Sequence, residues 1–203
     1  MKVELHLHTM RYSGCAINTP QEMMQKLVQT GYQAVYITEH DAVWTDWELE
    51  ALRKAFPGIR VFPGVELSLG GDAGQHVLVL GTNDAEYLDL RTADEVVKRA
   101  RQDGHLVVLA HPFRWRGSSE MLWNGVLPDA LEYRTNNHDF DQASESETAA
   151  EKLKLPLVNA GDVHTLGMIN RYWIETRRPL EKADDIRQIV LDGQYENCTR
   201  KDQ

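Results

Sequence analysis

Cysteine is nearly absent from this 203-residue sequence. Cys15 and Cys198 stand far apart and form no CxxC pair, which excludes a disulfide framework and a thiolate zinc finger. Apolar runs are short, and none approaches the roughly 20 residues that a bilayer-spanning helix needs. Met1 leads directly into Lys2-Val3-Glu4-Leu5 without a secretory pattern, so a soluble, cytoplasmic protein is expected. Positive charge is in deficit, with 22 Lys and Arg against 31 Asp and Glu and a formal net charge of -9. That argues against a broad basic surface for duplex nucleic acid. It leaves room for a phosphorylated substrate, because bound divalent cations can reverse the local field. Internal repeats, low-complexity segments and long linkers are also missing. With 42% hydrophobic residues the length suits one core, and a single domain over residues 1–203 is expected.

What is present is an alternation of short apolar runs with helical stretches. The runs cover residues 3–7, 34–37, 61–65, 77–80, 106–110, 130–133, 157–160 and 172–174, and the alternation reads as α/β. Three Thr-x-x-Glu boxes, Thr19-Glu22, Thr45-Glu48 and Thr92-Glu95, mark helix starts, the first with Pro20 inside it. The first helix is expected to bury Met23, Met24, Leu27 and Val28 and to end near Gly31. Similar units are expected around Val96, Val97 and Ala100, around Ala149, Ala150 and Leu153, and around Ile186, Ile189 and Val190. The polar stretch 135–148 is read as beginning in a surface loop at a strand end. A closed or nearly closed βα barrel is the economical arrangement.

Six of the eight histidines fall in short motifs at strand ends: His6, His8, His40, His76, His111 and His164. Residues two apart on a strand point to one face, so His6 and His8 can share an ion, as can Asp162 and His164 if the backbone stays extended there. A barrel gathers its chemistry at the C-terminal ends of its strands, which would bring these residues together with Glu66. His76 precedes its apolar run; a hairpin turning within residues 67–74 would return it to the level of Glu66. Any one histidine on a strand is more often a hydrogen-bonded packing residue than a ligand, and His105 and His138 are read that way. The series His-x-His, His, Glu, His, His, Asp-x-His is a stronger signal, since clustered imidazoles and carboxylates are otherwise costly near a barrel interior.

The segments Glu4-Leu5-His6-Leu7-His8-Thr9, Ile37-Thr38-Glu39-His40-Asp41, Pro63-Gly64-Val65-Glu66, His76-Val77-Leu78-Val79-Leu80-Gly81, Ala110-His111-Pro112 and Ala160-Gly161-Asp162-Val163-His164 resemble the polymerase and histidinol phosphatase superfamily, the PHP domain. The resemblance implies a distorted (β/α)7 barrel with two or three divalent ions (Zn, Mn or Fe) that hydrolyses phosphoesters. It implies that His6, His8, Glu66 and Asp162 hold one ion and that Glu66 bridges to a second held with His76 and His111. His40 and His164 would hold a third. That third site is usually completed by an Asp or His shortly after the His-x-His motif. Here the segment reads Thr9-Met10-Arg11-Tyr12-Ser13-Gly14-Cys15, and Cys15 is the local substitute. Glu4 and Glu39 stand where the family more often has Asp.

The expected reaction is hydrolysis of a phosphomonoester or phosphodiester by in-line attack of a hydroxide bridging two ions, the charge on the equatorial oxygens being met by metal and arginine. Arg114, three residues after His111, is the arginine best placed for phosphate, ahead of Arg11 and Arg134. A second reading makes the substrate a nucleotide or a nucleic-acid end, with Trp44, Trp47, Trp115 or Trp123 stacking a base. A third makes the chain a non-catalytic, metal-stabilised module. The short chain disfavours histidinol phosphatase itself.

Overall fold

The computed structural model describes residues 1–70 and 74–200. Strands β1 (Lys2–Leu7), β2 (Ala34–Ile37) and β3 (Arg60–Leu69) pair in parallel. β4 (Gln75–Leu80) runs antiparallel to both β3 and β5 (Leu106–Leu109). β6 (Ala130–Glu132) and β7 (Leu157–Val158) then continue parallel to β5. Beyond β7 the chain returns to the first strand: the His8 N–H donates to the Val163 carbonyl (2.9 Å) and the Val163 N–H to the His6 carbonyl (3.0 Å). Seven strands therefore nearly close on themselves. β8 (Tyr172–Thr176) and β9 (Tyr195–Thr199) form an antiparallel hairpin attached to the first residues of β1. Tyr195 and Asn197 reach from β9 to the Leu157 carbonyl, at 2.7 and 2.8 Å, and cover the seam beside β7.

The helices begin where the capping boxes place them. α1 (Pro20–Gln29), α2 (Asp46–Ala55) and α3 (Ala93–Asp103) follow Thr19, Thr45 and Thr92, each of which exchanges hydrogen bonds with the Glu three residues on. Such a cap is worth about 1 kcal/mol and fixes the helix entry. α4 (Glu120–Trp123), α5 (Phe140–Leu153) and α6 (Asp185–Leu191) complete the set. Among the described residues no helix is long and apolar enough to cross a membrane.

Several expectations need correction. Among the described residues no helix joins β3 to β4, so a regular βα repeat is broken there by a hairpin that pairs Ser68 with His76 and Leu69 with Gln75. This is the arm expected to return His76, although Gly71, Asp72 and Ala73 lie outside the described residues. The polar stretch does begin as a loop after β6, as expected, and turns to helix at Asp139, whose side chain caps α5 through Gln142 in a box that uses Asp and Gln in place of Thr and Glu. Val28 is 41% exposed because it falls past the edge of the stripe made by Met23, Met24 and Leu27. β9 was not legible, since Glu196, Asn197 and Thr199 give it no apolar run.

The barrel interior holds Leu5, Tyr36, Leu78, Leu80, Val108 and Ala160, with Ile186, Ile189 and Val190 of α6 packed against them. Outside it, Met23, Met24, Leu27, Leu49 and Leu52 cover β1 and β2, and Val96, Val97 and Ala100 cover β4 and β5. β1 changes phase along its length. Val3 and Leu5 join the interior cluster, Leu7 joins the outer one, and the register shifts between Glu4 and Leu7. The Glu4 carboxylate accepts the N–H groups of Leu5 (3.1 Å) and His6 (3.2 Å) at that irregularity. A bulge of this kind re-aims the side chains beyond it, so Leu5 fills the interior and His6 and His8 still turn inward.

Candidate metal centre

Each site residue stands at the same rim. His6 and His8 close β1, His40 follows β2 and makes a parallel bridge to Glu66 in β3, and His76 opens the reversed strand β4. His111 follows β5, and Asp162 and His164 follow β7. His111 (φ 28°) and Asp162 (φ 45°) adopt left-handed backbone, which non-glycine residues hold only where the surroundings impose it. The expectation of an extended backbone through Asp-x-His is thus corrected at Asp162, yet the pair still converges, with His164 Nδ1 3.4 Å from Asp162 Oδ1.

Glu66 is the centre of the arrangement. Its Oε2 lies 3.0 Å from His6 Nε2, 3.1 Å from His8 Nε2 and 3.0 Å from His40 Nδ1. Its Oε1 lies 2.7 Å from His76 Nδ1 and 3.0 Å from His111 Nε2. One fully buried carboxylate therefore divides five imidazoles between its two oxygens. Asp162 Oδ1 faces His6 and His8 at 3.5 and 3.4 Å. Three convergent groups of donor atoms result: His6, His8 and Glu66; His40, Glu66 and His76; His8, His40 and His164.

The neighbours of the ring nitrogens settle their roles. Ser13 Oγ donates to Glu39 Oε2 (2.5 Å), so toward His8 Nδ1 (3.2 Å) it acts as acceptor and that nitrogen carries the hydrogen. His6 Nδ1 likewise donates to Glu132 Oε1 (2.8 Å). In neutral rings this leaves the Nε2 lone pairs of His6 and His8 facing each other at 2.9 Å, with carboxylate oxygens around them. Lone pairs so placed repel unless a cation lies among them. Buried Asp162 Oδ1 and His111 Nδ1 also have no hydrogen-bond partner among the described residues.

Protons are one way to meet that demand, and the acid–base shifts follow it. Burial disfavours charge on His6, but Asp162, Glu66 and Glu132 outweigh burial and hold its imidazole well above the usual range. Burial pushes Glu66 up, and His6 together with hydrogen bonds from His111, His6 and His76 pulls it far below the usual carboxylate range. His40 goes the other way, down to about 4, because burial dominates and Glu66 only partly offsets it. A neutral His40 is a ligand in waiting. Imidazoles and carboxylates in these numbers suit Zn, Mn or Fe, so the residues present fit divalent ions.

The sequence profile of the PHP domain matches residues 4–110, just over half of the chain. The chain belongs to the PHP domain family. An uncharacterised protein of Methanocaldococcus jannaschii is 24% identical over 132 residues, covering 56% of this chain and 68% of that one. The fold matches a Bacteroides vulgatus two-domain protein containing a predicted PHP-like metal-dependent phosphoesterase, with TM-score 0.74 and 14% identity over 98% of this chain. The chain spans 64% of that protein's length. A candidate metal-dependent phosphoesterase of Bifidobacterium adolescentis gives TM-score 0.67 at 16% identity, covering 93% of this chain and 95% of that one. An amidohydrolase of Chromobacterium violaceum with bound sulfate gives 0.65 at 15% identity, covering 81% and 88%.

The PHP motifs carry the inward-facing donors; of the acids behind them, sequence reasoning placed Glu4 and Glu39 in the motifs without a role and missed Glu132. Glu132 receives His6 Nδ1 on one oxygen and the His111 N–H (2.6 Å) on the other. Glu39 receives the Thr9 N–H (3.0 Å) and hydroxyl (2.5 Å), the Ser13 hydroxyl and the Trp44 indole N–H (3.2 Å). Glu4 accepts the Gly161 N–H at 2.6 Å, and a Cβ on Gly161 would meet that carboxylate at 2.6 Å, so only glycine fits beneath it. All three acids are fully buried. Their signal was an acidic residue inside or ending an apolar strand run. Such partners orient metal-ligating imidazoles and fix their tautomers.

The other PHP site candidates divide cleanly. A cleft of about 390 Å³ opens over the cluster, lined by His40, His76, His111, Asp162 and His164 together with Cys15, Arg114 and Trp115. Cys15 is exposed and joins none of the convergent donor groups found among the described residues. Arg114 stacks on Trp115 (4.3 Å) with a guanidinium nitrogen 3.8 Å from Asp162 Oδ2. Arg11 is drawn away to Glu48 (2.6 Å), and Arg134 lines a separate depression with His138 and Tyr172. Of the four tryptophans considered for stacking, only Trp115 borders the cleft; Trp44 is buried against Glu39, and Trp47 and Trp123 are exposed elsewhere. His105 pairs with Asp184 and His138 bridges the Tyr133 and Pro112 carbonyls, both packing roles as expected.

Proposed function

We propose that this chain is a hydrolase of small phosphorylated substrates that works through two or three divalent ions. The observation that carries the reading is the division of five imidazoles between the two oxygens of Glu66, the arrangement a bridging carboxylate needs. His6, His8, Glu66 and Asp162 would hold one ion, Glu66 with His76 and His111 a second, and His40 with His164 a third, which Cys15 would complete only by swinging in from the cleft wall. When bound, these ions supply an activated water as nucleophile at neutral pH and neutralise charge building on phosphorus. The chain's own residues do the rest. Arg114 offers a planar pair of N–H donors to a phosphate oxygen, and its stacking on Trp115 limits the freedom it would lose on binding. Glu132, Glu39 and Ser13 keep His6 and His8 in the tautomer that presents Nε2.

One exposed indole and one guanidinium among the described residues lining the cleft suit a compact phosphomonoester better than a long polynucleotide, which would need a basic track. Turnover of an aryl phosphate by the metal-loaded protein, lost on His8→Ala with the fold intact, is the expected result. Full activity of His8→Ala would overturn the assignment, and metal binding without turnover on any phosphoester would favour the non-catalytic module. Comparing histidinol phosphate, a nucleoside bisphosphate and a short oligonucleotide would rank the substrates. Alkylation of Cys15 that is no slower in the zinc-loaded protein would remove it from the third site.

A further inference from the structure

Behind Asp162 lies a pair of asparagines that the reading above does not use. Asn136 and Asn137 sit in the loop between β6 and α5. The Asn136 side chain donates to the Gly161 carbonyl and to the Met168 carbonyl (3.2 Å), and its N–H also reaches Gly161 O (3.2 Å). Asn137 Nδ2 donates to Asp162 Oδ2 at 2.5 Å and lies 3.4 Å from the Asp162 carbonyl. The two amides thus grip the segment that holds Asp162 in its left-handed backbone, one at the residue before it and one at the carboxylate itself.

The consequence is an asymmetry between the two oxygens of Asp162. Oδ2 is engaged by Asn137 and approached by Arg114 at 3.8 Å and by His111 Nε2 at 3.9 Å. Oδ1 is buried and, among the described residues, unpartnered, and it faces His6, His8 and His164 at 3.4 to 3.5 Å. A carboxylate free at both oxygens can bind an ion in either of two ways or with both atoms, and must be ordered at the moment of binding. Here that choice has been made in advance.

We propose that Asn137 is a positioning residue: by occupying Asp162 Oδ2 it presents Oδ1 alone to the ion held by His6, His8 and Glu66. This rests on the metal-dependent reading of the site, but its test does not need turnover. Asn137→Ala removes the amide and Asn137→Leu removes it while keeping the branched side-chain shape; Zn²⁺ and Mn²⁺ binding to the metal-free proteins is measured by calorimetry, beside the melting temperature of each metal-free form. The expected result is a roughly 10- to 100-fold weaker affinity at one ion in both variants, the range that loss of an outer hydrogen bond to a ligand gives. Melting temperatures of the metal-free forms should stay close to that of the parent. Ion affinities unchanged in both variants would overturn the proposal, whether or not activity fell. So would a metal-free melting temperature that dropped in step with affinity in both, since a scaffold role explains that result. Parent protein that binds neither ion would fail the metal-dependent reading instead, a distinct outcome.

Discussion

Two buried carboxylates at opposite ends of the barrel show how the same chemical group is used for different ends. Asp129 lies just before β6, at the strand's starting end, where it meets Arg187 (3.1 Å), Arg101 (3.2 Å) and the Val107 N–H (3.2 Å). Permanent cations and a backbone donor satisfy it, and it ties α3, α6 and two strands together. Glu66, at the far rim, meets among the described residues no guanidinium and no ammonium, only five imidazoles, a group that unlike guanidinium can coordinate an ion. The first carboxylate is neutralised by folding. The second is neutralised by whatever cation the rim takes up, so its charge remains available to a ligand.

The most forceful way to break this contrast is at Glu66. Glu66→Ala should cut aryl phosphate turnover by at least about a thousandfold and reduce the ions bound per chain, because both ions of a shared pair depend on it; atomic absorption on the purified variant reads the second effect. Asp129→Ala should do the reverse. It leaves the Val107 N–H without its side-chain acceptor and two partly exposed arginines without their partner, and urea unfolding should show a loss of about 1–3 kcal/mol with ion stoichiometry unchanged. If Asp129→Ala also emptied the rim, the two ends would not be independent.

These roles were unequally legible in the chain itself. Ligands could be read because each stands in a motif at the end of an apolar run, where a polar residue of coordinating type has few other reasons to be. Glu132 was hidden and the role of Glu39 was not legible, since each looks like the ordinary polar residue that ends a strand, and only burial distinguishes them. Asn137 gave no signal, because loops are rich in asparagine and its partner is 25 residues away. β9 was invisible for another reason: it packs by hydrogen bonds from Tyr195 and Asn197, not by an apolar face. The capping boxes, by contrast, are local chemistry and needed no tertiary information.

Two further effects sharpen the comparison. Metal at about a thousand times its dissociation constant should raise stability by about 4 kcal/mol per ion bound to the folded state alone, and a chelator should reverse the rise in melting temperature. Asp129→Asn should leave that increment unaltered. Glu48 supplies a third kind of carboxylate, at the side of the barrel. Burial pushes its pKa up, but hydrogen bonds from Thr45, Tyr12 and Arg11 prevail and hold it near about 2. A carboxyl depressed on folding contributes fully above its unfolded value of 4.5 and less as pH falls through the folded one. Urea unfolding should therefore show the parent about 2 kcal/mol more stable than Glu48→Gln at pH 6, the gap shrinking between pH 4.5 and 2. A gap that persisted at pH 2 would assign the loss to packing.

The reversed strand has a consequence for how the site assembles. Glu66 and His76 are ten residues apart on one hairpin, and His111 joins them through the neighbouring strand. Asp162 reaches the same place only after the chain has travelled round the barrel and met β1 again. Glu66, His76 and His111 thus meet through smaller loops, whose closure costs less entropy, while the rest of the rim depends on ring closure, so an ion bound by the completed rim would also tie the barrel shut.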